Sequence, residues 1–197
     1  MNHRQGIIVG LSGASGAAIG VRIVERLVEN PHCAVHLVVS PGAERTLAEE
    51  VGSDCLPRLR SIVHRHHDHS NIGASIASGS CPIAGMIVAP CSIRTLSAIA
   101  WGQASDLLVR AADVQLKERR RLILMVRESP LHLGHLRAMI QATEIGAIIA
   151  PPMPAFYLKP TSLDDIIEQI ACRAINLLDL PGLRAPAQAW SEGHGGA

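Results

Sequence analysis

Three short segments of this 197-residue chain combine residue types and spacing suited to handling a phosphorylated ligand. Gly13-Ala14-Ser15-Gly16 stands directly between an apolar run and an amphipathic one. Glycines there allow a sharp turn, and the free N–H groups at a helix start attract an anion. The spacing is not that of a dinucleotide fingerprint, and Ser40, not an acidic residue, closes the second apolar run, which favours a mononucleotide or flavin. A tight turn without a ligand would use the same residues, and Ser15 could cap the helix or face the ligand. Pro90-Cys91-Ser92-Ile93-Arg94-Thr95 repeats the pattern after another apolar run, where hydroxyls at a helix start suit a phosphate or a flavin edge, and equally an ordinary N-cap. Arg127-Glu128 follows a further apolar run; Glu can work as acid or base and Arg as a phosphate clamp, or the two can form a structural salt bridge.

Other suggestive residues have plainer readings. The run Lys117 to Arg121 reads as a solvated helix end that complements the helix dipole. Histidines 64, 66, 67 and 69 sit in a polar excursion without a Cys or carboxylate at helical spacing, so no metal site is expected. His132 and His135 read as packing at a helix start, and Cys91 as a small buried residue, with no His spaced to activate it. The stiff segment PPMPAFY (151–157) holds Phe156 and Tyr157 and either covers a hydrophobic ligand or ends the last strand.

The elements that must position these groups are legible from periodicity. Apolar runs of strand length at 6–11, 34–39, 85–89, 121–126 and 146–150 alternate with helical patterns at 17–29, 42–51, 92–101, 105–119, 132–145 and 162–179. Continuous apolar strands separated by helices imply an α/β fold: a three-layer, Rossmann-like (flavodoxin-like) parallel sheet with helices on both faces. Ligands in such sheets bind beyond the carboxyl ends of the strands, so 12–16, Ser40, 90–95 and 127–130 are expected on one rim. A single domain over 1–183 is followed by a tail, 184–197, without periodicity, expected to dock on a neighbouring subunit. Residues 53–80 read as a long excursion with one helix.

Composition narrows the function classes. Hydrophobic residues are 48% and charged residues 18%, which excludes a disordered chain. Lys+Arg 18 against Asp+Glu 17 gives no basic excess for nucleic acid. Five cysteines without a CxxC pair, no signal-like leader and no apolar run of spanning length together suggest a soluble, reduced, cytoplasmic protein away from membranes. Only Trp101, Phe156, Tyr157 and Trp190 could supply an aromatic ring.

Taken in order, GLSGASGAAIGVR, PCSIRTLSAI, RAADVQLKERR, VRESPLHLGHLR and PPMPAFYLKP followed by SLDDII closely resemble the UbiX-type flavin prenyltransferases. The resemblance runs from about residue 6 to residue 180. It implies a metal-independent enzyme that binds FMN and joins the dimethylallyl group of dimethylallyl monophosphate to N5 and C6 of the reduced flavin. It also implies a homododecamer with sites at subunit junctions, whose prenylated FMN serves UbiD-type decarboxylases in ubiquinone synthesis and aromatic acid decarboxylation. By motif position, Gly13, Ala14, Ser15, Ser40, Ser92, Ile93, Arg94, Thr95 and Arg127 would hold FMN. Arg110, Lys117, Arg127, Tyr157 and Arg173 would surround the substrate phosphate, with Trp190 arriving from a neighbouring chain. Glu128, with Ser15 and Glu50, would handle protons. A branched side chain at Gly13, as in Gly13→Val, is expected to occupy the space needed for close approach to the flavin phosphate and to abolish FMN binding. Two other readings carry less: an FMN-dependent cysteine-type decarboxylase would need a histidine that the stretch 40–50 lacks, and a non-catalytic flavin carrier would not need the Arg, Lys and Glu set.

Overall fold

Side chains that are apolar on both faces of a strand can be buried only between two helical layers, and the computed structural model, in which residues 4–189 are described, takes that form. Strands β1 (Gln5–Leu11), β2 (Cys33–Val39), β3 (Arg65–His67), β4 (Ile83–Cys91), β5 (Arg121–Val126) and β6 (Ile148–Ile149) form one six-stranded sheet in the order β3-β2-β1-β4-β5-β6. Every pairing is parallel. Helices α1 (Ala17–Glu29), α2 (Pro41–Glu50), α3 (Cys55–Ile62) and α7 (Leu163–Leu177) cover the face that carries Ile7, Val9 and Leu11. Helices α4 (Ile93–Ala100), α5 (Leu107–Lys117) and α6 (Leu133–Glu144) cover the face that carries Ile8, Met86 and Val88.

The expected strands and helices are all present, and the differences have local causes. Residues 53–80 are more ordered than a one-helix excursion: α3 is followed by β3, which pairs His36 with Arg65 and Val38 with His67. Too polar and short to read as a strand, β3 is held by its ladder with β2 and by the ring contacts below. Pro90 does not end β4, which continues to Cys91, with Ala89-Pro90 in the cis form. The last strand contracts to two residues.

Helix α1 rests directly on β4. A Cβ on Gly20 would lie 2.2 Å from the Ala89 carbonyl oxygen, so only glycine permits this approach. Helix α7 is fixed against α1 by charge: Arg22 bonds Glu168 at 2.6 Å and Asp164 at 2.8 Å, and Arg26 bonds Glu168 at 2.8 Å. Burial alone would raise the Glu168 carboxyl; hydrogen bonds from Arg26, Cys172 and Arg22 overcome it and hold the group at about 2. Residues 184–189 run along α7, bonded to Asn176 and Gln169.

From the histidine run, buried His67 pairs with the half-buried His36 of β2. His36 Nδ1 and His67 Nε2 lie 3.0 Å apart, the rings stack at 5.3 Å, and His64 meets His36 edge-on at 5.4 Å. One ring must donate and the other accept, which requires at least one neutral imidazole. Burial, then the neighbouring His64 and Arg65, lowers His36 to about 4; burial, then His36 and Arg65, lowers His67 to about 4. Both rings are neutral in the fold at pH 7 and gain protons more readily unfolded, so their contribution is complete above pH 6.5 and lost as pH falls toward about 4. Urea midpoints measured from pH 7.5 to 4 should fall across that window, and His67→Gln should make the profile flatter; an unchanged profile would exclude the pair as its source.

Candidate functional site

The sheet order puts the carboxyl ends of β2, β1, β4 and β5 side by side. The chain leaves β1 toward β2 on one side, while β4 lies on the other, and the crevice between them is where such sheets bind ligands. Ser12 ties the crevice shut beneath the site. Its buried hydroxyl donates to Pro90 O at 2.9 Å and accepts the Ser92 N–H at 2.8 Å, joining the ends of β1 and β4. Sequence reasoning saw Ser12 only as the first letter of a turn, because nothing local shows that its partners come from 80 residues on.

Above Ser12 the loop tightens as the Ala14 N–H bonds Ser12 O at 2.8 Å, and Gly16 takes φ 101°, a left-handed backbone suited to glycine. Gly16 is the N-cap and supplies no side chain, so Ser15 does not cap α1. Glu50 does so: its Oε2 accepts the N–H of Gly16 and of Ala17, each at 2.9 Å. A carboxylate here meets both the unpaired N–H groups and the positive end of the helix dipole. Among the described residues the exposed Ser15 hydroxyl has no hydrogen-bond partner, which leaves it available to a ligand. Gly13 lies close against the start of α2. A Cβ there would lie 2.9 Å from Gly42 Cα and C, so the start of α2 occupies that space.

The remaining rim residues follow from capping. Ser40 caps α2 by accepting the Ala43 N–H at 3.2 Å. Ser92 caps α4 by accepting the Thr95 N–H at 3.3 Å and donates to the Thr95 hydroxyl at 3.0 Å. Ile93 packs partly into the core, turning its neighbour Arg94 out to solvent. The Arg127 N–H bonds Cys91 O at 3.1 Å, extending the join between β4 and β5 to the rim. Glu128 does not pair with Arg127; its Oε1 accepts the Ser129 N–H at 3.0 Å. The guanidinium groups of Arg94, Arg127 and Arg173 have no carboxylate within ion-pair reach among the described residues, whereas Arg22, Arg26, Arg110 and Arg121 all do. Cys91 is fully buried, and burial pushes its thiol up to about 12, so it stays protonated and inert at neutral pH.

Beside this rim lies a groove of about 1290 Å³ that includes Met125, Ala150, Pro151, Met153, Tyr157 and Arg173 in its lining. Two expected phosphate ligands, Tyr157 and Arg173, are therefore brought together, next to the end of the strand that leads to Arg127. Two others are not. Arg110 donates to Ala77 O at 3.2 Å and to Asp113 at 2.7 Å. Lys117 ends α5 in an ion pair with Glu118, just before β5 begins, so it sits at the opposite edge of the sheet from the rim. Trp190 lies outside the described residues. Among the described residues no group of three or more His, Cys, Asp or Glu could hold a metal, and no helix is long and apolar enough to cross a membrane. His132 is the N-cap of α6, its Nδ1 accepting the Gly134 N–H at 3.0 Å, with its ring 3.5 Å from that of His135.

Hydroxyls at two capped helix starts, an unpaired Ser15 and three cations without carboxylates among the described residues make a rim that suits an anionic ligand, with a groove of mixed polar and apolar lining at its side. Residues 1–172 match the family described as Flavoprotein. The chain is 54% identical over 174 residues, 88% of its length and 89% of the other, to the flavin prenyltransferase UbiX of Thauera aromatica. Among solved structures it is similar to AnUbiX (PadA1) in complex with FMN and dimethylallyl pyrophosphate, with TM-score 0.90 and 40% identity over 96% of this chain and 99% of that one. It is also similar to a dodecameric FMN-dependent UbiX-like decarboxylase from Escherichia coli O157:H7, with TM-score 0.89 and 38% identity over 95% and 100% of the two chains.

Two substitutions test how the loop is built. Gly13→Ala already places a Cβ against Gly42 and should destabilise by about 1–3 kcal/mol, as overpacking does. Glu50→Ala should cost about 1 kcal/mol, as loss of a helix cap does, by leaving the Gly16 and Ala17 N–H groups unpaired. Denaturant unfolding gives both values; wild-type stability in Gly13→Ala would mean that the Gly13–Gly42 approach imposes nothing.

Proposed function

The chain belongs to the flavoprotein family and, within it, to the UbiX flavin prenyltransferases, and from that premise we propose how its own residues divide the work. The enzyme binds FMN and joins the dimethylallyl group of dimethylallyl monophosphate to N5 and C6 of the reduced flavin. The cradle suits FMN on its own geometry: Gly13 to Ser15, Ser40, Ser92 to Thr95 and Arg127 all lie on adjacent strand ends, offering backbone N–H groups, hydroxyls and unpaired cations to a phosphate and a planar ring. When bound, reduced flavin supplies the nucleophilic nitrogen and carbon.

The observation that carries the reading is that Tyr157 and Arg173 line one groove beside the strand that leads to Arg127. A monophosphate is a poor leaving group, so breaking its bond to an allylic carbon needs positive charge held in place beforehand. Arg127 and Arg173 meet that need because no carboxylate among the described residues pairs with them. Met125, Ala150 and Met153 offer the five-carbon group apolar contacts, and the electron-rich face of Tyr157 stabilises developing positive charge. Glu128, exposed at the rim with one oxygen on its own loop, exchanges the proton that prenyl transfer releases. Ser15 orients phosphate, and Glu50 acts on it through the helix start it caps.

Lys117 and Arg110 serve a neighbouring subunit, since Lys117 is at the wrong edge of the sheet for its own rim. This reading includes a homododecamer of cytoplasmic chains, with Trp190 closing a neighbour's site and prenylated FMN passing to a UbiD-type decarboxylase. A dodecameric relative and the exposed apolar side chains of Trp101, Leu133 and Ile140 support assembly.

Glu128→Gln keeps size and hydrogen-bonding reach but removes the ionisable proton. It should bind FMN normally while prenylation slows by ~10²- to 10⁴-fold. Anaerobic incubation with reduced FMN and dimethylallyl monophosphate, read by flavin mass, checks both. Wild-type turnover would reduce Glu128 to a loop-shaping residue, and an unmodified flavin from the parent enzyme would reject the function itself.

A further inference from the structure

The groove that holds Tyr157 and Arg173 has a wall with no part in the scheme above. Beyond Leu183 the chain runs along α7 as a strap, and Arg184, Ala185, Ala187, Gln188 and Ala189 line the groove. Two side-chain amides hold it. Asn176 Nδ2 donates to Ala185 O at 3.0 Å while its Oδ1 accepts the Ala185 N–H at 2.8 Å. Gln169 Nε2 donates to Gln188 O at 3.0 Å while its Oε1 accepts the Gln188 N–H at 3.1 Å. Each amide pairs with one backbone residue in both directions, as an adjacent strand would. Among the described residues no other hydrogen bond joins 184–189 to the rest of the chain.

The two pairs differ in strength of setting. The Asn176 pair is partly buried and the Gln169 pair exposed, so the strap is anchored at Ala185 and released from Gln188. The groove, at about 1290 Å³, exceeds the ~300–1,000 Å³ of usual ligand pockets, and a five-carbon group cannot fill it. Water must be kept out by a wall.

Resting on the prenyl transfer read above, we propose that Gln169 and Asn176 are positioning residues whose amides latch the 184–189 strap as the water-excluding wall of the substrate groove. If the strap opens, the allylic C–O bond still breaks with its electron pair leaving on phosphate, but a water oxygen forms the new bond to carbon. That water gives up a proton to phosphate or solvent, and the products are dimethylallyl alcohol and inorganic phosphate. An open strap therefore uncouples phosphate release from flavin prenylation.

The test compares the parent enzyme with Gln169→Met, Asn176→Leu and the double variant, none of which removes a residue that touches the phosphate. Trypsin reads the latch directly, by intact mass, through cleavage after Arg184. In the double variant it should cut at least ~10-fold faster, because four hydrogen bonds no longer oppose local opening. Phosphate, dimethylallyl alcohol and prenylated flavin are then quantified together under anaerobic conditions. The parent should release one phosphate per flavin modified; the double variant should release ~2-fold or more phosphate per modified flavin, with FMN binding unchanged. Cleavage at the parental rate, or faster cleavage with coupling intact, would overturn the proposal. Should the double variant fail to fold, Gln169→Met alone, which loses only exposed bonds, is judged by the same two readouts. A parent enzyme that prenylates nothing would refute the catalytic reading, and proteolysis would still decide the latch.

Discussion

One buried hydroxyl joins the two strands between which the site opens. Ser12 accepts the Ser92 N–H and donates to Pro90 O, so the ends of β1 and β4 are held at hydrogen-bond distance where the sheet changes direction. Removing a buried partner there leaves polar groups without water or protein to satisfy them, a cost of about 1–3 kcal/mol. The consequences spread along the rim. The Ser12 carbonyl closes the turn to Ala14, and Ser92, fixed through its N–H, presents its own hydroxyl to α4. The glycine loop and the turn that begins α4 are thus set by the same residue.

The charges are sorted with equal economy. On the flank where α1 meets α7, Arg22 and Arg26 are spent on Glu168 and Asp164, and the interaction is geometric: it fixes the helix that carries Arg173. At the rim the pattern reverses, and among the described residues Arg94, Arg127 and Arg173 have no carboxylate in ion-pair reach. A chain with almost equal numbers of acidic and basic residues has therefore created a local positive region by placement alone. The acidic group nearest the glycine loop, Glu50, does not cancel it, because its Oε2 is turned onto the N–H groups of α1.

Much of this was legible in the sequence. The strands with apolar side chains on both faces, the helices with apolar spacing, the four rim segments and the resemblance to flavin prenyltransferases all depend on local pattern, and α1 and β5 fall at the expected residues. What was hidden depends on distant partners. β3 reads as a polar run because its support is a ladder with β2 and the ring of His36. Ser15 could not be told from a cap until Glu50, 34 residues from Gly16, was seen to do that work. Arg127 and Glu128 look like a salt bridge in sequence, yet each turns to a different task. The strap reads as a loose tail because small residues and proline carry no periodic signal, and its attachment is written in two amides on α7.

The approach of Gly13 to Gly42 bears on how such a chain can change over time. A Cβ on Gly13 would press on Gly42 at 2.9 Å, and one on Gly42 would reach Gly13 Cα at 3.2 Å. Each glycine removes the room that any replacement of the other would need. Neither can drift first without moving the start of α2 away from the loop, and changing both together makes the crowding worse. The pair is therefore a mutual lock: the main-chain shape of the turn holds only while both positions lack a side chain.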